Sequence, residues 1–209
     1  MTLVYLVRHG ENDFLRKRHR LAGWLPGVHL NDRGRAQANA LAEYFSKVRI
    51  KSIYSSPLER TMETAEPIAK VKGLPIEKRK GLGEIDCGRW EGQTLKALSR
   101  RKLWPVIQHT PSLARFPDGE SFVEAQDRAV SVIEDLRSIH KSPKASFICV
   151  THADVIKLII AHYLGLPLDL FQRIVVMPAS ISILQIDHTP RLLLLNDMQA
   201  TKEGGSDRG

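Results

Sequence analysis

Two histidines stand where apolar runs end. Thr2 to Val7 is a short run rich in β-branched and aromatic residues, and it leads straight into Arg8-His9-Gly10-Glu11. Phe147-Ile148-Cys149-Val150 is a second such run, leading into Thr151-His152-Ala153-Asp154. Runs of this kind read as buried strands, and open α/β sheets hold their ligand chemistry at the carboxyl ends of strands. An imidazole beside a guanidinium is suited to attack an anionic group. The arginine holds the anion and disfavours the imidazolium, which leaves a nitrogen lone pair available. One histidine at a strand end is often only a hydrogen-bonded core residue. Two of them, 143 positions apart and each closing a buried run, form a more specific pattern.

Two further segments carry charge suited to the same chemistry. Ser55-Ser56-Pro57-Leu58-Glu59-Arg60-Thr61 places Arg60 one turn into a helix that follows a strand, where free N–H groups already favour an anion. Taken alone, Arg60 is equally an ordinary surface helix residue. Gly83 to Gly92 is a glycine-rich loop carrying Glu84, Asp86 and Glu91. A general acid that protonates a leaving oxygen belongs in such a loop, although any single acid there is also ordinary solvated charge. His-x-x-x-His, Cys-x-x-Cys and Asp-x-Asp spacings are absent, so neither a metal nor another cofactor is expected.

Bulk composition narrows the partners without choosing one. A chain of 209 residues that is 43% hydrophobic fits a single ordinary domain. Its net charge of +8 favours anionic partners, whether nucleic acid, membrane surface or phosphorylated substrate. The runs Lys78-Arg79-Lys80 and Arg100-Arg101-Lys102 read as solvated surface, whereas Arg16-Lys17-Arg18-His19-Arg20 follows His9 closely enough to compete as a substrate contact. The basic residues are not aligned with stacking aromatics, so specific nucleic-acid binding is not expected. Two cysteines make no disulfide framework; Cys149 reads as a core thiol and Cys87 as structural. No signal peptide fits before Arg8, and Lys157 interrupts the best apolar span. A cytoplasmic protein without a membrane anchor is expected.

These side chains need elements to position them, and the sequence alternates apolar strands with amphipathic helices. Asn31 or Asp32 caps a helix to about Lys47 with Ala36, Ala40, Leu41, Tyr44 and Phe45 on one face. Ile50 to Ser55 is a strand. Pro57 opens a helix that runs to about Lys72 and stops at Gly73. Leu74 to Glu77 suits an edge strand, and residues 94 to 116 are helical in parts, broken by Pro105 and Pro111. Gly119-Glu120-Ser121 starts a long helix to about His140, and Ser146 to Val150 is the next strand. His152 to Leu164 is a helix ended by Gly165, and Ser180–Ile186 pairs with Arg191–Leu195. The expectation is one α/β domain over residues 1 to 198, three-layered α/β/α with a mostly parallel central sheet. A cap-like insertion is placed at about 93 to 120, and 199 to 209 is read as a disordered tail.

The segments Leu6 to Glu11, Ser55 to Ala65, Glu84 to Gly92, Gly119-Glu120-Ser121 and Val150-Thr151-His152 together resemble the histidine phosphatase superfamily, the phosphoglycerate mutase-like fold. The match in order and spacing spans Thr2 to about Leu195. The resemblance implies that His9 is the nucleophile and forms a phosphohistidine. It implies that Arg8, Arg60 and His152 surround the phosphoryl group, and that Glu84 is the acid–base. Ala153, Gly23 and Arg89 join Arg8, Arg60 and His152 as expected substrate contacts. Such a set needs no metal, since guanidiniums neutralise the equatorial oxygens by charge-assisted, forked bonds.

The chain also departs from the family. The opening motif usually continues to Trp-Asn, with an asparagine that binds phosphate; here Phe14-Leu15 stands there. Gln or Thr usually precedes the Gly-Trp pair; here Ala22 precedes Gly23-Trp24. The loop Asp86 to Gly92 resembles the phosphatase branch, where mutases carry a His-Tyr-Gly variant. Ala153-Asp154 and Lys157 differ from the Gly-Asn and arginine of mutases, and the stretch between Gly92 and Glu120 is shorter than the mutase insertion. A phosphomonoesterase acting on a small phosphorylated metabolite is therefore the expectation. Phosphoglycerate mutase-type transfer is the alternative, and a non-catalytic phosphate-binding module a third. Arg89, Lys96, Arg100 and Arg101 stand near the cap to hold a second substrate charge. A homodimer is a further expectation by analogy with relatives.

Overall fold

Strand β1 (Thr2–Arg8) lies inside a six-stranded sheet with β2 (Ser52–Ser55), β3 (Ile76–Lys78), β4 (Ala145–Thr151), β5 (Ile181–Ile186) and β6 (Arg191–Asp197). The computed structural model describes residues 1–140 and 145–201. The strand order is β3-β2-β4-β1-β5-β6. The four strands from β3 to β1 run parallel, whereas β5 and β6 add an antiparallel edge. Every residue of β4 is buried, as expected of a strand covered on both faces.

The helices are α1 (Asp13–Arg16), α2 (Asp32–Ser46), α3 (Glu59–Lys72), α4 (Leu95–Leu98), α5 (Leu103–His109), α6 (Phe122–Ile139) and α7 (Ala153–Leu164). Alternation along the strands divides the apolar side chains between two layers. Tyr5, Val7, Ile53, Ile148 and Val150 pack with Leu41 and Phe45 of α2 and Ala65 and Ile68 of α3. Val4, Leu6, Phe147 and Cys149 pack with Ile133 of α6 and Ile156 and Ile159 of α7. The three-layer α/β/α architecture follows from this division. A third apolar cluster joins Trp90, Leu98, Ile107 and Phe116 to Phe122 of α6 and Leu158 of α7. It roofs the carboxyl ends of the strands from one side.

Local chemistry explains the element boundaries, including several that depart from expectation. Asn31 caps α2, its side chain accepting from the Gly34 N–H at 2.8 Å. Ser121 and Glu124 form a reciprocal capping box at the start of α6. Pro57 is not the first residue of α3; Leu58 is the cap, with φ −73° and ψ 145°. The buried stripe of α2 runs through Gly34, Gln37, Ala38, Leu41, Ala42 and Phe45, while Ala36 is exposed. Pro105 does not break the cap helix: it lies in the first turn of α5, where its missing N–H has no helical partner to lose. Gln199–Thr201 form a 3-10 turn with Ala200 packed against the second cluster; the rest of the expected tail, 202 to 209, lies outside the described residues. Cys87 and Cys149 are both buried and unpaired with each other. Among the described residues no helix is long and apolar enough to cross a membrane.

Gly10 and Gly34 sit where the loop after β1 crosses the start of α2. A Cβ on Gly34 would lie 2.1 Å from the Glu11 carbonyl oxygen, and one on Gly10 would lie 2.7 Å from that of Gly34. Neither contact can relax without moving backbone. Gly34→Ala is expected to destabilise the protein by about 1–3 kcal/mol, read as a lowered urea midpoint with unchanged m-value.

Candidate active site

Parallel pairing of β1 with β4 sets Arg8 opposite Thr151. The next residue of each strand is then a histidine, so His9 and His152 emerge side by side with ring centroids 5.2 Å apart. The end of β1 is clamped on both sides: His9 N–H donates to the Thr151 carbonyl at 3.0 Å, and Ala179 N–H donates to the His9 carbonyl at 3.1 Å. Neighbouring β2 ends at Ser55, and Ser56 N–H donates to the Val150 carbonyl at 2.9 Å. That bond starts the turn into α3, which brings Arg60 against His152.

The hydrogen bonds define the proton on each ring. His9 Nδ1 lies 2.7 Å from the Gly10 carbonyl oxygen, which can only accept. Nδ1 therefore carries the hydrogen and Nε2 the lone pair. Burial first, and then Arg60 and Arg8, hold the His9 pKa well below its ordinary value. His152 is fully buried, with Nδ1 3.3 Å from Arg60 Nη2 and Nε2 2.9 Å from Ser56 Oγ. A guanidinium only donates, so Nδ1 accepts and Nε2–H donates to the serine. Burial, then Arg60, then His9 depress its pKa strongly as well. Both imidazoles are neutral.

Two guanidiniums flank the pair. Arg60 is 1% exposed; its Nη2 donates to the Gly23 carbonyl at 2.9 Å, while Nη1 has no partner among the described residues. Arg8 Nη1 donates to the Val176 carbonyl at 2.6 Å, and its Nε likewise lacks a partner. Buried cationic donors without acceptors are costly. Placed around a nitrogen lone pair, they define an anion cavity. Glu84 completes it, with Oε2 3.6 Å from His152 Nδ1. Burial first, then the Asp154 carboxylate, push its pKa up to about 7, against the opposing pull of Arg60. A carboxyl with this pKa is able to give or take a proton near neutral pH.

Glu84 has a support that its own segment does not announce. Arg128, midway along α6, donates to the carbonyls of Gly81, Gly83 and Glu84 at 2.8, 2.9 and 2.9 Å, and it is held by Glu120. Trp24 Nε1–H also donates to the Glu84 carbonyl. Glu120 and Trp24 stand in or beside recognisable motifs, but a mid-helix arginine gives no sequence signal of this role.

Arg8, His9, Arg60, Glu84, Gly23 and Ala153 all line one hollow of about 700 Å³, within the roughly 300–1,000 Å³ typical of small-molecule sites. His152 lies directly behind its wall. Gly23 contributes by its carbonyl, which fixes Arg60, and by a φ of +49° that turns the chain over Glu91. Arg89 is a correction: its side chain is 72% exposed, its Nε pairs with Asp118 at 2.9 Å, and it is not part of the lining. Among the described residues Lys96, Arg100 and Arg101 are not part of it either. Of the basic run, Arg20 reaches the hollow, whereas Lys17 pairs with Asp13 and Arg18 lies over Phe14. Ala22 lines the hollow; the substitution at Leu15 and any role of Arg16 fall outside the described side chains. Among the described residues no group of His, Cys, Asp and Glu has the arrangement of a metal site.

Two neighbouring imidazoles and two guanidiniums thus meet at the carboxyl edge of the sheet, in a three-layer α/β/α protein. The sequence profile of the histidine phosphatase superfamily (branch 1) matches residues 4–198, and the chain belongs to that superfamily. It is 29% identical over 199 residues to phosphoserine phosphatase 1 of Hydrogenobacter thermophilus, covering 93% of this chain and 91% of that one. It is 32% identical to the probable phosphoglycerate mutase GpmB of Photorhabdus laumondii, over 92% and 88% of the two chains. The solved structure of Bacillus stearothermophilus YhfR superposes with a TM-score of 0.89 at 27% identity, covering 97% of this chain and all of that one.

Proposed function

We propose that this chain is a metal-independent phosphomonoesterase that works through a phosphohistidine at His9. The observation that carries the reading is the cavity itself: His9, with its Nε2 lone pair, shares one hollow with the buried Arg60 and the partly buried Arg8, each keeping a buried N–H without a partner among the described residues. Arg8 and Arg60 take the equatorial oxygens of a bound phosphoryl group. The Nε2 lone pair of His9 attacks phosphorus, the ester P–O bond breaks, and the leaving oxygen takes the Glu84 proton. Glu84, now a carboxylate, removes a proton from water. The water oxygen attacks the phosphohistidine, the P–N bond breaks, and its electron pair returns to Nε2. Preorganised charge of this kind is commonly the largest catalytic term. His152, buried behind the wall, accepts from Arg60 Nη2 through Nδ1 and so helps to orient that guanidinium toward the phosphoryl group.

The Glu84 carboxyl, 3.6 Å from His152 and with its pKa raised to about 7, supports catalysis over simple phosphate binding, since its charge would oppose phosphate. Resemblance to the phosphatase branch in the loop after Glu84 supports hydrolysis. Phosphoglycerate isomerisation is the second reading, favoured by the 32% likeness to the probable mutase. The test is a panel of phosphorylated metabolites and p-nitrophenyl phosphate, assayed in parallel for released phosphate and for 2-/3-phosphoglycerate interconversion. Phosphate release is expected. Interconversion without hydrolysis of any ester would establish the mutase instead.

A further inference from the structure

We infer that Glu91 is a positioning residue: its carboxylate, bound to the peptide between Gly23 and Trp24, sets the placement of both Arg60 and Glu84. This rests on the phosphomonoesterase reading, in which Arg60 binds the phosphoryl oxygens and Glu84 moves the proton. Glu91 is one of three acids in the loop that carries Glu84. It is half-buried and is not part of the lining of the hollow, so it reaches the site only through other residues.

The peptide between Gly23 and Trp24 is the link. Its N–H donates to Glu91 Oε1 at 2.8 Å, and its carbonyl accepts from Arg60 Nη2 at 2.9 Å. The two groups of a trans peptide lie in one plane and point opposite ways. The carboxylate at one end therefore fixes the direction in which the other end meets the guanidinium. Anion, amide dipole and cation follow one another, each strengthening the next. A Cβ on Gly23 would lie 2.2 Å from Glu91 Oε1, so the carboxylate reaches this peptide only because residue 23 has no side chain.

The same hydrogen bond bears on the acid–base. Trp24 Nε1–H donates to the Glu84 carbonyl, and its ring lies against Gly83, where a Cβ would come within 2.1 Å of Cζ2. Fixing the Trp24 backbone thus fixes a support of Glu84. The backbone around Glu91 is itself anchored. Glu91 N–H donates to the Gly88 carbonyl at 3.1 Å, Gly92 N–H to that of Leu21 at 2.7 Å, and Leu21 N–H to that of Gln93 at 3.0 Å. These bonds end at Leu21. Beyond it, the Trp24 N–H has Glu91 as its only partner among the described residues.

The experiment compares the wild type with Glu91→Gln, Glu91→Asp and Trp24→Phe. Glutamine keeps an oxygen at the same reach and removes the charge, whereas aspartate keeps the charge on a shorter side chain. The readouts are the Ki of inorganic phosphate, kcat/KM for glycerol 2-phosphate and p-nitrophenyl phosphate, and the urea midpoint. Glu91→Gln is expected to stay within about three-fold of wild type in Ki and in the glycerol-to-nitrophenyl ratio. Glu91→Asp should raise Ki by about three-fold or more. It should also lower the ratio roughly ten-fold, because only the alkyl ester needs the Glu84 proton. Trp24→Phe, which keeps an aromatic ring and loses the N–H, should lower the ratio by about three-fold and leave Ki unchanged. Wild-type Ki and ratio in Glu91→Asp, equal impairment in Glu91→Gln and Glu91→Asp, or an unchanged ratio in Trp24→Phe overturns the proposal while leaving the phosphomonoesterase intact. So does a loss shared by both esters that merely follows the urea midpoint. Hydrolysis of neither ester by the wild type, with no phosphate on His9, would overturn both.

Discussion

His9→Ala is expected to abolish phosphoenzyme formation and to lower kcat/KM by roughly 10⁴–10⁶-fold, the scale seen when a nucleophile is removed from a unit that acts together. The geometry distinguishes the two histidines sharply. His9 spends its only hydrogen on the Gly10 carbonyl, so Nε2 is left with a lone pair. Both nitrogens of His152 are engaged, one with Arg60 and one with Ser56. Neutral imidazole is the nucleophilic form, and burial with the two arginines keeps His9 in it. Wild-type protein quenched during turnover should carry an acid-labile, base-stable phosphate, and peptide mapping should place it on the fragment containing His9. The alanine protein should carry none, yet still be stabilised against heat by inorganic phosphate through Arg8 and Arg60. Phosphate on the His152 fragment, or turnover surviving in His9→Ala, would overturn the assignment.

Much of this site was legible in the sequence because strand ends are local features. An apolar β-branched run followed by Arg-His or Thr-His marks a carboxyl end, and the parallel register does the rest: Arg8 opposite Thr151 forces the two histidines together. Arg60 was less legible: one turn into the helix after β2 it reads alone as an ordinary surface residue, and its burial depends on Gly23 and His152, far away along the chain. Periodicity was less informative for α2, where Gln37 and Ala38 displaced Ala36 from the buried stripe because Gln37 accepts from the Glu11 N–H at 2.9 Å. That contact depends on where the loop after β1 lies, which no local pattern encodes. Arg89 misled because proximity to motif residues says nothing about direction; its side chain turns out to Asp118. Arg128 was silent for the opposite reason. It reaches three carbonyls of the Glu84 loop from a helix far along the chain, and charge on a helix face ordinarily means solvent.

Glu84→Gln should separate the two chemical steps. An alkyl phosphate needs a proton on its leaving oxygen, so its turnover should fall by about 10²–10³-fold, a usual scale for general acid–base catalysis. The phenolate of p-nitrophenyl phosphate departs without that help. The variant should therefore show a burst of p-nitrophenol and then stall, because hydrolysis of phospho-His9 still lacks its base. No burst should appear with the alkyl ester. In the wild type, a Glu84 pKa of about 7 makes kcat/KM for alkyl esters fall as pH rises through that value, and this inflection should vanish in the glutamine protein. Stability provides a separate reading. Folding raises this pKa from its ordinary 4.5, so the folded state binds the proton more tightly, and the wild type loses stability as pH climbs from about 4.5 to 7. Glutamine has no charge to bury. With 21% of the side chain open to solvent, the variant should be more stable than wild type at pH 8 by about 1–2 kcal/mol, and no more stable at pH 4. Urea midpoints at the two pH values measure this. A less stable variant at pH 8, or an alkyl-phosphate pH profile unchanged by the substitution, would remove Glu84 from the proton-transfer role.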